Sequence, residues 1–294
     1  GPGPRYQSPN QVSWTVDNFI NILKYNIDHN IPIYGYEFGN EPNLFQAKMK
    51  LDISAEQYAI DFYLFMKTLK QYAPSIKAIG IDLDYIPSSW HIQTFDELFL
   101  KTLKNMTNGQ YMPDIMTYHF YPLISNKTSS IPEPYLATAN KLLNPYYLNQ
   151  IGKLSHDLSI LYHDKYGLEE IWLGESASSE GGGQLGVSDR FIDGIEWIDK
   201  LGQTAYNKHS LVFRQTFCRS PDNHSYNYAL IWNQTPRPSY YIAALYTQLV
   251  EPFFLNITTN QNGDTIRSYA TCSSTYKGGV VLIIISLNEE LSIT

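Results

Sequence analysis

The sequence predicts an α/β fold of parallel strand–helix units, giving way near its end to antiparallel strands. Three observations carry that expectation. Residues 33–38, 76–83, 114–121, 169–174 and 211–217 are short apolar runs with the length and composition of buried strands. Their starts recur every 38 to 55 residues, which leaves room for a helix between neighbours, and crossovers of that kind make successive strands parallel. Beyond Glu251 the pattern changes to three strand-like runs, 253–257, 265–271 and 279–287, with Asn-Gly and Gly-Gly turns between them. A closed barrel and an open doubly wound sheet both satisfy the parallel part.

The helix after the first strand is the plainest. Ser54 and Gln57 form a capping box, and Tyr58, Phe62, Phe65, Leu69 and Tyr72 repeat at helical spacing until Pro74 stops the pattern. Further helices are expected at about 140–165, 188–207 and 239–249, each with an apolar stripe. No internal repeat or low-complexity tract interrupts the chain.

Composition narrows the function classes. The 294 residues carry 28 acidic and 21 basic side chains, a net charge of −7, which argues against a nucleic-acid partner because phosphate binding needs a basic footprint. With 43% hydrophobic and 17% charged residues, a large buried core is expected and disorder is excluded. One large domain with an appendage fits the length. The longest apolar run, 280–285, is far short of a membrane helix. Gly-Pro-Gly-Pro at the start offers neither an initiator Met nor a signal-peptide pattern, so a processed piece is expected. Two cysteines, Cys218 and Cys272, exclude a disulfide scaffold and a cysteine-based zinc site. Asn-x-Ser/Thr sequons at Asn105, Asn126, Asn223, Asn233 and Asn256 favour secretion weakly.

Two carboxylates stand where chemistry is placed in parallel α/β folds. Gly39-Asn40-Glu41-Pro42-Asn43 follows the first strand, and Trp172-Leu173-Gly174-Glu175-Ser176 repeats the arrangement three units later. A single Glu at a strand end commonly caps the next helix; a pair can face each other across a barrel mouth. Glycoside hydrolysis needs such a pair, one carboxyl to protonate the leaving oxygen and one to attack or stabilise the anomeric carbon. Pro42 fixes the turn beside Glu41, and the Asn40 amide suits a sugar hydroxyl. Glu37 shares the strand face and is expected to be buried as a supporting group. His119 and Tyr121, ending the third strand, are placed to orient a carboxylate. The run 181–186 matches a dinucleotide glycine pattern only weakly, because 175–180 intervene and no acid ends a following strand. Its amides still suit a carboxylate on a substrate. His156 and His163 lack a third ligand in register, so neither a metal nor a cofactor is expected.

Gly39-Asn40-Glu41-Pro42-Asn43-x-Phe45, Trp172-Leu173-Gly174-Glu175 with the glycines 181–183, Ser188-Asp189, Trp197-Ile198-Asp199-Lys200-Leu201-Gly202 and Arg214-Gln215 stand in an order and spacing that resembles the heparanase-like glycoside hydrolases, family 79 of clan A. The resemblance runs from about residue 8 to the end. It implies a (β/α)8 TIM barrel lacking its first strands in this chain, with strands four to eight in 1–251, and a truncated start of a C-terminal antiparallel β-sandwich in 252–294. It implies a retaining enzyme in which Glu41 is the acid/base, held protonated by an apolar setting and a nearby charge, and Glu175 the nucleophile, hydrogen-bonded by Tyr121. Asn40 would bind the hydroxyl beside the reacting carbon. Gly181, Gly182 and Gly183 with Tyr228 would hold a glucuronate carboxylate, and His119 and Gln215 belong to the same binding set.

The implied substrate is a glucuronide-containing glycan such as a glycosaminoglycan or proteoglycan chain, with a non-catalytic carbohydrate- or protein-binding homologue as the alternative. The implied partner is an N-terminal chain or segment supplying the missing strands, and the implied setting is extracellular or lysosomal. Two departures bear on the substrate: no Lys or Arg lies between Asp82 and Asp96, where the family has a basic cluster, and Glu180 replaces an aromatic residue. Cys272 resembles a cysteine whose partner lies beyond residue 294, so Cys218 and Cys272 are not expected to pair.

Overall fold

The computed structural model describes residues 5–8, 11–85, 92–127, 132–219, 226–258 and 264–287. An antiparallel hairpin, β1 (Arg5–Ser8) and β2 (Gln11–Trp14), precedes α1 (Asp17–Asp28). Then come β3 (Gly35–Glu37), α2 (Phe45–Met49), α3 (Ala55–Tyr72), β4 (Lys77–Tyr85), α4 (Ile92–Thr107) and β5 (Ile115–Phe120). Two helices, α5 (Ala139–Leu142) and α6 (Pro145–Ser159), run into a π-helical turn over Ile160–Lys165 before β6 (Glu170–Ser176). After α7 (Phe191–Tyr206) and β7 (Leu211–Arg214) come the two-residue strands β8 (Cys218–Arg219), β9 (Ile231–Trp232) and β10 (Thr235–Pro236). Helix α8 (Pro238–Leu249) leads into β11 (Val250–Leu255), β12 (Ile266–Ser273) and β13 (Val280–Ser286).

Five strands form a parallel sheet in the order β3-β4-β5-β6-β7, with helices between them, the architecture of part of a (β/α)8 barrel. The C-terminal strands form a separate antiparallel sheet in the order β11-β12-β13. The chain divides into two compact units, one from within 1–85, 89–119 and 159–174, the other from within 120–158 and 175–294. Among the described residues no helix is long and apolar enough to cross a membrane.

The first unit is built on aromatic packing. Ser54 caps α3 as its sequence predicts, the hydroxyl accepting from the Gln57 amide at 3.2 Å. The stripe it starts buries Tyr58, Phe62, Phe65 and Leu69. Phe62 meets Phe65 and Phe99 of α4 with ring centroids 5.5 and 5.4 Å apart, a contribution beyond area burial. Glu37, expected to be buried, is exposed instead. Strand β3 ends the sheet order and, among the described residues, pairs with β4 alone.

In the second unit the expected helix over 140–165 is broken. Pro145 opens α6 as a new helix because proline cannot donate within a helix but suits its first turn. Helix α7 begins at Phe191 rather than 188, since the Ser188 hydroxyl is occupied with the Ser178 hydroxyl at 2.8 Å and the Gln184 amide at 2.9 Å. Arg267 of β12 pairs with Asp199 of α7 at 3.1 Å, and the Tyr269 hydroxyl donates to the same carboxylate at 2.8 Å. This buried network fastens the antiparallel sheet to α7. Cys218 and Cys272 are both free thiols.

Candidate active site

In the first unit, the turn after β3 is bent by its own sequence. Glu41 sits in the left-handed region, φ 52° and ψ 55°, and Pro42 starts the short 3-10 turn Pro42–Leu44. A β-carbon in that region carries a steric cost that persists only where surroundings hold it. They do so here: the Glu41 amide donates to the Asp82 carbonyl at 2.8 Å, and the Asn43 side chain donates to the Asp84 carbonyl at 2.8 Å while accepting from the Asp84 amide at 3.2 Å. The end of β3 is thereby clamped to the end of β4. Asn40, beside it, is exposed.

The Glu41 carboxylate is buried and has two cationic or potentially cationic neighbours. His119, at the end of β5 and 2% exposed, brings Nδ1 to 3.0 Å from Glu41 Oε1. Lys48 of α2 reaches back to donate to Oε2 as an ion pair. Burial alone pushes the Glu41 carboxyl up, but the hydrogen bonds and charges of His119 and Lys48 together outweigh it and hold the group below the usual glutamate range. The expectation of an apolar setting that keeps Glu41 protonated is therefore corrected. The other ring nitrogen of His119, Nε2, lies 2.6 Å from Oδ1 of Asp82. Lys48 and Asp82 were not among the residues singled out from sequence. Lys48 gives no signal in spacing, whereas Asp82 is a carboxylate inside a run otherwise read as a buried strand, which was the available clue.

The second unit assembles most of the remaining candidates. Glu175, at the end of β6, accepts a hydrogen bond from the Tyr121 hydroxyl. The next residue is braced: Ser176 Oγ donates to the Phe120 carbonyl at 2.5 Å, and the fully buried Lys200 donates to Ser176 Oγ at 2.7 Å and to the Ala177 carbonyl at 3.0 Å. Glu196 balances Lys200 at 2.7 Å. The ring of Tyr228 lies stacked by Tyr121 with centroids 6.5 Å apart. Burial first, and then the Glu175 charge, push the Tyr228 phenol up, and Gln215 hydrogen-bonds it. Tyr121, Glu175, Gln215 and Tyr228 are thus neighbours.

The glycine loop lies against them. Gly181, Gly182 and Gly183 have φ of 74°, 90° and 82°, open to glycine without penalty. A β-carbon on Gly183 would stand 2.6 Å from the Tyr228 amide. Their carbonyls are turned to the protein: Ser125 Oγ donates to Gly181, the Asn227 amide to Gly182 and Asn227 Nδ2 to Gly183, at 2.9, 2.5 and 2.8 Å. Glu180 is held through its backbone, its amide donating to Leu123 at 2.9 Å and its carbonyl accepting from Ser125 at 3.0 Å.

Comparison with known proteins follows the same lines. The family model described as "Glycosyl hydrolase family 79, N-terminal domain" matches residues 4–202. Heparanase-like protein 1 of Arabidopsis thaliana is 26% identical over 291 residues, which cover 96% of this chain and 48% of that protein. The hyaluronoglucuronidase of Hirudo nipponia is 24% identical over 271 residues, 87% of this chain and 49% of that one. The chain thus spans about half the length of the curated relatives it matches. A Paenibacillus polymyxa xyloglucanase of glycoside hydrolase family 44 shares the fold, with a TM-score of 0.61 at 14% identity over 95% of this chain and 59% of its own. With well over half of its residues matched by the family's own model, the chain belongs to glycosyl hydrolase family 79.

Proposed function

We propose that this protein is a retaining glycoside hydrolase that cleaves β-glucuronide linkages in a glycosaminoglycan-like chain. Glu41 is the acid/base and Glu175 the nucleophile. One observation carries the reading: the end of β5 supplies a partner to each glutamate, His119 to Glu41 and Tyr121 to Glu175. The partners differ in kind. A phenol orients Glu175 with one donated hydrogen bond, which suits a nucleophile. A ring nitrogen beside Glu41 suits a group that gives up and regains a proton.

In the first half-reaction Glu175 attacks the anomeric carbon while the Glu41 proton passes to the leaving oxygen. In the second, Glu41 takes a proton from water as that water displaces Glu175, so the configuration is retained. The amides of the loop 181–183 and the Tyr228 hydroxyl take the uronate carboxylate, and Asn40 the hydroxyl beside the reacting carbon. The names of the two relatives, heparanase-like and hyaluronoglucuronidase, support a glucuronide. An N-terminal segment or chain supplying further barrel strands, and an extracellular or lysosomal setting, belong to the same reading.

The test is hydrolysis of an aryl β-glucuronide by the full-length protein and by Glu175→Gln and Glu41→Ala. We expect Glu175→Gln to abolish turnover. Glu41→Ala should lose about 10²–10⁴-fold and recover with azide on a substrate with an activated leaving group. Equal turnover in the parent and Glu175→Gln would refute the nucleophile assignment, and glycan binding without turnover in the parent would favour a binding homologue.

A further inference from the structure

We propose that Asp82 is a positioning residue that sets the charge and orientation of His119 and, through it, the proton on Glu41; the inference rests on the acid/base reading of Glu41. Asp82 lies in β4 between Ile81 and Leu83 and is 3% exposed. A carboxylate buried at such a place is costly unless it is paired. Its partner is His119, whose Nε2 stands 2.6 Å from Oδ1. The contact has the distance of an ion pair but not the alignment of a hydrogen bond, so Oδ1 is left without a hydrogen-bond donor among the described residues. Its effect on the ring is therefore mainly that of charge, which favours the imidazolium form.

The ring is then held between two carboxylates, Asp82 at Nε2 and Glu41 at Nδ1, 3.0 Å away. A ring lying between two carboxylates is attracted to both only as the doubly protonated imidazolium, which also donates from Nδ1 to Glu41. Asp82 supplies the charge that keeps it so. The same residue also fixes Glu41 through the backbone, since its carbonyl accepts the Glu41 amide at 2.8 Å. Asp82 itself is in the left-handed region, φ 59°, like Glu41. The turn after β3 and the neighbouring strand β4 thus carry strained, mutually bonded residues whose side chains meet on one imidazole.

A second, independent feature makes room for Asp82. Gly174 of β6 faces it, and a β-carbon there would stand 2.9 Å from Asp82 Oδ1 and 3.4 Å from the Thr117 β-carbon. Glycine directly before Glu175 is therefore a requirement of the Asp82 carboxylate as much as of the strand. During the reaction the proton reaching the leaving oxygen comes from Glu41, and the proton lost by water returns to Glu41. His119 keeps both of its own and donates Nδ1–H to the Glu41 carboxylate between the two transfers.

The experiment compares the full-length parent with Asp82→Asn, which removes the charge at nearly constant shape, and with Gly174→Ala, which keeps the charge but displaces it. Ring ¹⁵N signals of His119 are expected to report two protonated nitrogens at neutral pH in the parent and the loss of one proton in Asp82→Asn. With the His119 charge gone Glu41 is held less firmly ionised, so on a glucuronide with a poor leaving group the alkaline limb of the Asp82→Asn pH–rate profile should move to higher pH, and it should move less on a nitrophenyl glucuronide, which needs little acid assistance. Unchanged His119 ring signals in a folded Asp82→Asn, or an alkaline limb that stays where the parent has it, would overturn the proposal. Should Asp82→Asn fail to fold, Gly174→Ala decides by the same two readouts. A parent that hydrolyses neither substrate defeats the acid/base reading, and the ring signals still decide the role of Asp82.

Discussion

Lys48 and His119 pull Glu41 against the direction in which burial pushes it, and the balance falls toward the ionised form. A carboxyl held lower in the folded chain than its ordinary 4.5 contributes stability at pH above that value, and the contribution is lost as pH falls through the lowered value. Lys48→Met removes one of the two lowering influences. On acidification from pH 6 to pH 3 the parent should therefore lose more thermal stability than Lys48→Met, and in assays the alkaline limb of the variant's pH–rate profile should move to higher pH. Identical melting curves against pH would mean that Lys48 does not hold Glu41 in solution. The glutamates, Tyr121 and His119 were legible because each ends an apolar strand. Lys48 was not, because it reaches Glu41 by the return of a five-residue helix, α2, whose geometry no residue pattern announces.

Among the elements, the joint of β4, α4 and the π-turn rests on one buried acid. Both Tyr85 at the end of β4 and Tyr162 in the π-turn donate to Oδ2 of Asp96 in α4. Burial pushes the Asp96 carboxyl up to about 7, and the two tyrosines only partly oppose it. The sign is opposite to that of Glu41. The contribution to stability is fully present below the ordinary aspartate value of 3.8 and is lost as pH rises through about 7, where the buried group must ionise. The size is at most on the order of 4 kcal/mol. Asp96→Asn cannot ionise, so the parent's stability in urea should fall between pH 5 and pH 8 relative to the variant's; a constant difference would show that Asp96 stays neutral or ionised throughout. The strands of this joint and the stripe of α3 were readable from periodicity. The break at Pro145 and the π-turn over Ile160–Lys165 were not, since one continuous apolar stripe passes through both.

At the scale of the whole chain, the parallel sense of the strands was legible from their spacing, but their sequential order was not, because a doubly wound sheet has the same spacing; the opening hairpin and the two-residue strands β8 to β10 were too short to leave a period. Charge was also legible and now has a location. The net charge of −7 is matched in the first unit by a cavity of about 310 Å³ at the ends of β3 and β4, lined among others by Asn43, Gln46, Asp52, Asp84 and Phe95. Amides, carboxylates and an aromatic ring suit sugar hydroxyls and a pyranose face, and two carboxylates oppose a sulfate. No Lys or Arg from 82 to 96 offsets them. On the proposed glucuronidase reading, this surface would favour an unsulfated chain over a sulfated one. Binding without cation–sulfate pairs is weakly screened, so KM for an unsulfated glucuronide oligosaccharide should change less than about twofold between 50 and 300 mM salt. Heparin should compete poorly and elute from the immobilised protein at low salt. A steep fall in affinity with salt, or tighter binding of the sulfated chain, would place the substrate among the sulfated polyanions despite the acidic cavity.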